Sequence, residues 1–199
     1  MGQYYKPANI DKKEYIYTHN VKSRVEDYQG KFIVIGEGLK LMEHSYIGNK
    51  LMNGVERLIM PKGDWYKNRL VWAGDYADDE TDRDCNLYTI MEEEGEEIKL
   101  VDTKKRPKAY KFLVNYTLKE FVDLSTIKED EDGFKIHPLS LLVCEGNGRG
   151  GGDYLYGYDE DKGKVKEERV GSWARCEIGL EKEVKEGFEE INGQFKNNY

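Results

Sequence analysis

Residues 31–61 read KFIVIGEGLKLMEHSYIGNKLMNGVERLIMP, and the change of period inside this stretch decides the fold class. Lys31–Ile35 is a β-branched and aromatic run bounded by Gly30 and Gly36, the pattern of a buried strand. Beyond Gly38, Leu39, Leu41, Met42, Tyr46, Ile47, Leu51, Met52, Val55, Leu58 and Ile59 recur at spacings of mostly three and four. That spacing predicts a helix from Tyr46 to Met60, stopped by Pro61 and weakened by Gly48 and Gly54.

Outward from this stretch the chain reads mostly as strands. Gln3–Ala8 and Glu14–Thr18 flank a turn at Asn9-Ile10-Asp11-Lys12-Lys13. Arg69–Ala73 (RLVWA) is a strand ending at Gly74-Asp75, and a short helix is expected at Leu87–Glu94. Tyr110–Asn115 and Glu120–Leu124 form a hairpin, Leu139–Cys144 and Trp173–Ile178 are further strands, and Phe188–Ile191 is an edge piece. There is no internal repeat and no low-complexity linker. The expectation is one α+β domain over residues 1–199: a mainly antiparallel sheet of about six to eight strands with one principal helix packed on it.

Composition supports a folded chain. Charged residues are 35%, but 15 Tyr, 6 Phe and 3 Trp supply surfaces that disordered chains lack. No stretch approaches the roughly 20 apolar residues of a membrane span. The opening MGQYYKPANI has no signal-peptide pattern, and Lys6 stands where a myristoylation signal needs Ser or Thr. Cys85, Cys144 and Cys176 show neither zinc spacing nor a disulfide framework, which fits a reducing cytoplasm.

Charge is unevenly distributed. Residues 75–97 hold eleven acidic residues and one basic residue, Arg83, a net of −10 within a chain of net −8. Such a field repels nucleic acid and attracts cations or a basic partner surface. Asp82, Asp84, Asn86 and Glu93 have the carboxylate spacing of a calcium loop, but Leu87 occupies the position of its essential glycine. The run Lys104-Lys105-Arg106-Pro107-Lys108 is basic enough to touch phosphates, yet it lies close to the acidic stretch and reads as a solvated approach to the hairpin.

The segment 144–154, CEGNGRGGGDY, is the best functional candidate. Gly146, Gly148 and Gly151 match GxGxxG after a strand, but the turn-like DYLYGYDEDKGK follows where a dinucleotide site needs a helix. No Gly-Lys-Ser/Thr follows, which excludes a P-loop. Consecutive backbone N–H groups with Arg149 can nonetheless form an anion-binding nest, against the plainer reading of a bulged loop. His19 carries no signal, and His44 and His137 have no metal spacing or adjoining nucleophile. Ser172 lacks the second glycine of GxSxG, since Ala174 stands there.

The strings MGQYYKPANI, KLMEHSYIGN, RLVWAGDYAD, YKFLVNYTLKEFVDLS, IHPLSLLVCEGNGRGGGDY and VGSWARCEI resemble an uncharacterised group of small proteins encoded by bacteria and their phages. The resemblance spans nearly the whole chain, implies one domain and brings no reaction. Residues 22–31 look like added length relative to that group. Its signature strings carry His44, Tyr46, Trp72, Asp75, His137, Asn147, Arg149, Asp153, Trp173 and Arg175, many of them at strand ends or in loops, and these are the candidate ligand-binding residues.

Three functions follow as expectations. The first is a non-catalytic binding protein of a phage or mobile element, with an anti-defence role, recognising a phosphate-bearing small molecule or a host protein through the glycine-rich loop. The second is a nucleotide or phosphoester hydrolase with His44 or His137 as acid/base, Asp75 or Asp153 as carboxylate and Arg149 as charge stabiliser. The third has the acidic stretch docking onto a basic, nucleic-acid-binding host protein. No cofactor or resident metal is expected, and homo-oligomerisation stays open.

Overall fold

The turn after the first strand forms because Asn9 imitates a backbone turn: its Oδ1 accepts the N–H groups of Asp11 and Lys12, both at 3.1 Å. It joins β1 (Tyr5–Asn9) to β2 (Glu14–Tyr15) as an antiparallel pair. The computed structural model describes residues 4–18, 22–26, 32–36, 45–100, 105–129, 133, 135–146, 154–156, 158–159, 164–165 and 169–197. Along them follow β3 (Lys22–Glu26), β4 (Phe32–Gly36), α1 (Lys50–Ile59), β5 (Asn68–Gly74), α2 (Leu87–Glu94), β6 (Glu96–Glu97), β7 (Phe112–Asn115) and β8 (Glu120–Asp123). Next come α3 (Pro138–Leu142), β9 (Cys144–Glu145), β10 (Tyr154–Tyr156), β11 (Tyr158–Asp159), β12 (Lys164–Val165), β13 (Cys176–Glu181), β14 (Glu189–Glu190) and β15 (Phe195–Asn197).

The fold is α+β, built on a nine-stranded sheet. Eight strands run in the order β14-β8-β7-β13-β5-β1-β2-β6, and β9 joins beside β5. The expectation of antiparallel pairing holds for most neighbours, but β14–β8, β2–β6 and β5–β9 are parallel, so the sheet is mixed. Each parallel pair brings in a two-residue strand after a long excursion, which is how parallel neighbours are reached. The expected strand near residue 31 exists as β4 and pairs with β3 in a separate ribbon, so the stretch read as added length contains a strand.

Three expected elements are corrected, the simplest being the strand expected at Trp173–Ile178, which is β13 at Cys176–Glu181 and follows a turn over residues 171–175. The principal helix starts at Lys50, not Tyr46, because Gly48 takes φ +96 and Asn49 caps the helix, its side chain accepting from Met52 N–H at 2.8 Å. Tyr46 instead forms a β-bridge with Ile136. Gly54, read as a weakness, is where Leu100 packs on α1: an added Cβ would sit 2.7 Å from Leu100 Cδ1. The predicted strand at Leu139–Cys144 is mostly helix α3, with only Cys144–Glu145 extended. Pro138 opens α3, and His137 caps it by accepting the Leu139 N–H at 3.1 Å.

Strand β5 divides the interior. Leu70 and Trp72 point into the main core with Leu51, Met52, Val55 and Ile59 of α1, while Val71 and Ala73 point the other way, against Leu87 and Met91 of α2. The two helices therefore cover opposite faces of the sheet. Ion groups are buried on both sides.

On the α1 side, Glu56 is wholly buried and meets Arg106 Nε at 2.7 Å and His137 Nε2 at 3.2 Å. Because His137 Nδ1 accepts from Leu139, the ring proton sits on Nε2 and points at Glu56. Burial holds the His137 pKa below its ordinary 6.5, so the ring is neutral at pH 7. Replacing Glu56 with Ala strands the Arg106 cation and should cost about 3–5 kcal/mol. Glu56→Gln, which keeps a partner for His137, should cost less in urea denaturation.

On the α2 side, Lys6 is 1% exposed, with Nζ 2.6 Å from Glu92 and 3.4, 5.3 and 5.7 Å from the ring centroids of Tyr88, Tyr15 and Tyr17. Desolvation outweighs the pull of Glu92, Asp75 and Glu97 and lowers the ammonium pKa below its ordinary 10.5. Below 10.5 the folded chain thus releases this proton before the unfolded chain does. The stability contributed by Lys6 rises with pH through that window. The difference in stability between wild type and Lys6→Met should therefore shift in favour of wild type as pH climbs toward 10.5, and paired melts across that range measure it.

Candidate functional site

A cavity of about 450 Å³ opens where three segments converge: the acidic loop 77–81, the end of β9 through Gly146, and the turn 170–175. Strand pairing creates the convergence. Cys144 stands beside Trp72 and Glu145 beside Ala73, so the root of the glycine-rich segment runs parallel to the end of β5, from which the acidic loop departs. Glycines allow the close approach. A Cβ on Gly74 would lie 2.7 Å from the Glu145 carbonyl oxygen, and one on Gly171, at φ +76, 2.6 Å from that of Cys144.

Arg175 joins the walls. Its backbone is left-handed, at φ +62, with its N–H bonded to the Leu70 carbonyl at 2.9 Å. The guanidinium donates to both Glu145 oxygens, at 2.6 and 2.8 Å, and forks onto Glu80, reaching Oε2 at 2.9 Å. These bonds raise the Arg175 pKa further and hold the Glu80 carboxyl below the usual range. Asn86 shapes the loop, its Nδ2 donating to the carbonyls of Asp75 and Ala77 while its Oδ1 caps α2.

The rim is acidic. Asp78, Asp79, Glu80 and Glu145 face one cation, Arg175, which two of them already engage. The Cys144 thiol in the wall is pushed up to about 12 by burial and stays protonated at neutral pH. Among the described residues no group of three His, Cys, Asp or Glu is placed to hold a metal ion. Asn86, central to the calcium-like spacing, is committed to the cap.

The candidate residues separate into groups. Arg175 lines the cavity, and Asp75 lies two residues before Ala77, its Oδ1 accepting the Tyr4 N–H at 3.0 Å. Trp72 and Trp173 are core residues; the Trp173 indole N–H reaches Glu120 at 2.6 Å. Tyr46 and His137 lie together at the Ser45–His137 crossing, and His137 is wholly buried. His44, Asn147, Arg149 and Asp153 fall outside the described residues. Glu80, Glu145 and Gly171 were not singled out from sequence. Their sequence signals are weak: Glu80 is one of eleven acidic residues in 75–97, Glu145 precedes the glycine run, and Gly171 stands two residues before Trp173.

Comparison of the chain with protein-family models, curated proteins and solved structures returns no match. The geometry is then the basis for a functional reading. Arg175→Ala should free the acidic loop: amide exchange at 77–81 should accelerate roughly tenfold, the effect of losing about 1.4 kcal/mol from two partly exposed ion pairs, while β1 and β5 stay protected. Hydrogen-exchange mass spectrometry reads both.

Proposed function

We propose that the chain is a binding protein whose acidic cavity receives a basic group, a lysine or arginine side chain presented by a partner protein. The observation that supports this most directly is the rim: four carboxylates against one guanidinium already held by two of them. Asp78 and Asp79 are exposed and lie outside that ion-pair network. A cation entering the cavity meets net negative charge, and Ala77, Val170 and Ala174 offer an apolar surface for its aliphatic stem. The phosphate reading depends on Arg149, and every described rim charge other than Arg175 opposes it.

The reading favours binding over hydrolysis. His137, one acid/base candidate, has both ring nitrogens engaged and no exposure. The cavity thiol is held protonated.

A fluorescently labelled octa-arginine peptide tests the proposal. It should bind at about 10 mM salt and release near 1 M, where charges act over roughly 3 Å. Asp78→Asn with Asp79→Asn should weaken it roughly three- to tenfold. Ala77→Trp fills the cavity without altering charge and should weaken it as well. Undiminished binding to Ala77→Trp would place the peptide elsewhere and overturn the assignment. ATP binding that Arg149→Ala abolishes, with the peptide ignored, would overturn it in favour of the phosphate reading.

A further inference from the structure

The basic run begins at Lys104, seven residues beyond the acidic segment, yet its described part, residues 105–108, is tied to the helix on the face opposite α2. Residues 104–119 contain six basic residues and no acidic one, a net of +6 against −10 for residues 75–97. Leu100 packs on Gly54 of α1, Arg106 pairs with Glu56 of α1, and Arg57 Nη2 donates to the Lys105 carbonyl at 2.8 Å. Lys105 and Arg106 are therefore fastened to the helix on one face of the sheet. The acidic segment carries α2, which covers the other face.

The acidic segment pairs with Lys6, Lys13 and Arg175, and within itself from Arg83 to Glu94. The basic run pairs with Glu56 and Asp123. Lys105 and Lys108 remain exposed on a braced loop: Pro107 limits the backbone, and the Tyr110 N–H closes on the Pro107 carbonyl at 2.9 Å. A loop already held in shape loses little entropy on docking.

We propose that the Lys105–Lys108 loop is a docking surface and that its occupant is the acidic segment of a second copy of this chain. The inference rests on the reading of the acidic side as a receptor for basic groups, and it names the partner. The two surfaces are different: the basic loop is braced to α1 on one face of the sheet, and the acidic loop leaves from the end of β5 at the cavity, with α2 behind it on the other face. Where each copy receives one neighbour and enters another, the contact is heterologous: each added copy leaves one free surface of each kind, and growth runs head to tail into a filament or a closed ring.

Sedimentation velocity of the full chain tests this. At about 10 mM salt, where charges act over roughly 30 Å, the weight-average mass should at least double as concentration rises, and near 1 M salt it should fall to that of the monomer. Lys105→Glu with Lys108→Glu should leave a monomer with an unchanged melting temperature. So should Asp78→Asn combined with Asp79→Asn and Asp82→Asn. Mixed in equal amounts, the two variants should form dimers that grow no further, because each retains only one working surface.

Wild-type mass that ignores concentration and salt would overturn the inference, while octa-arginine binding at the cavity would still stand. Association that survives Lys105→Glu with Lys108→Glu, or two monomeric variants that fail to pair, would overturn it as well. A monomer that shifts labelled oligothymidine only when Lys105 and Lys108 are intact would assign the loop to nucleic-acid phosphates instead. Self-association without peptide binding would spare this inference and remove the cavity assignment.

Discussion

Strand β5 is hydrogen-bonded along both edges and covered on both faces, and the remaining architecture is arranged around that condition. β1 runs along one edge, and β13 followed by β9 takes the other. Leu70 through Gly74 are all buried, which accounts for the unbroken LVWAG run where a one-sided strand would alternate. Burying a side chain such as Leu70 or Val71 contributes about 1.5–3 kcal/mol. The cavity depends on the same strand. Its acidic wall leaves from the end of β5, its opposite wall is β9 alongside, and Arg175 hangs from the Leu70 carbonyl.

Buried polar atoms then fix how the outer elements sit. Two tryptophans, Trp65 and Trp173, are wholly buried and each donates its indole N–H to a glutamate at 2.6 Å, Glu14 and Glu120 respectively. Glu56 performs the corresponding task for Arg106 and His137. An unpaired buried group of this kind costs about 1–3 kcal/mol, so sliding any of these segments by one residue is penalised at once. Such pairs specify arrangement more than they add stability, because desolvation consumes much of their attraction.

These long-range pairs also mark where the sequence stops being informative. Helix α2 and the β7–β8 hairpin were legible because their signals are local: the short run Leu87–Glu94, and two apolar runs around residues 116–119. Leu139–Leu142 misled because a short apolar run has no period long enough to separate helix from strand. Pro138 preceded by a capping residue was the better signal. Arg175 was legible as a candidate, but its partners Glu80 and Glu145 lie 95 and 30 residues away, and no local pattern connects them. Trp173, a candidate through the string VGSWARCEI, proves to be core, its carboxylate partner lying 53 residues away.

Strand parity also governs the distribution of charge. Neighbouring residues of β5 face opposite sides, so α2, part of the acidic segment, packs on one face, while α1, to which Lys105 and Arg106 are tied, packs on the other. The sheet edges carry charge of a different consequence. Both terminal strands, β6 and β14, are two residues long, exposed, and made of paired glutamates, Glu96–Glu97 and Glu189–Glu190. Short edges of like charge repel one another and discourage strand-to-strand growth of the sheet between copies. Edge-to-edge pairing of sheets is thereby disfavoured, which leaves the proposed contact between copies to the basic loop and the acidic segment.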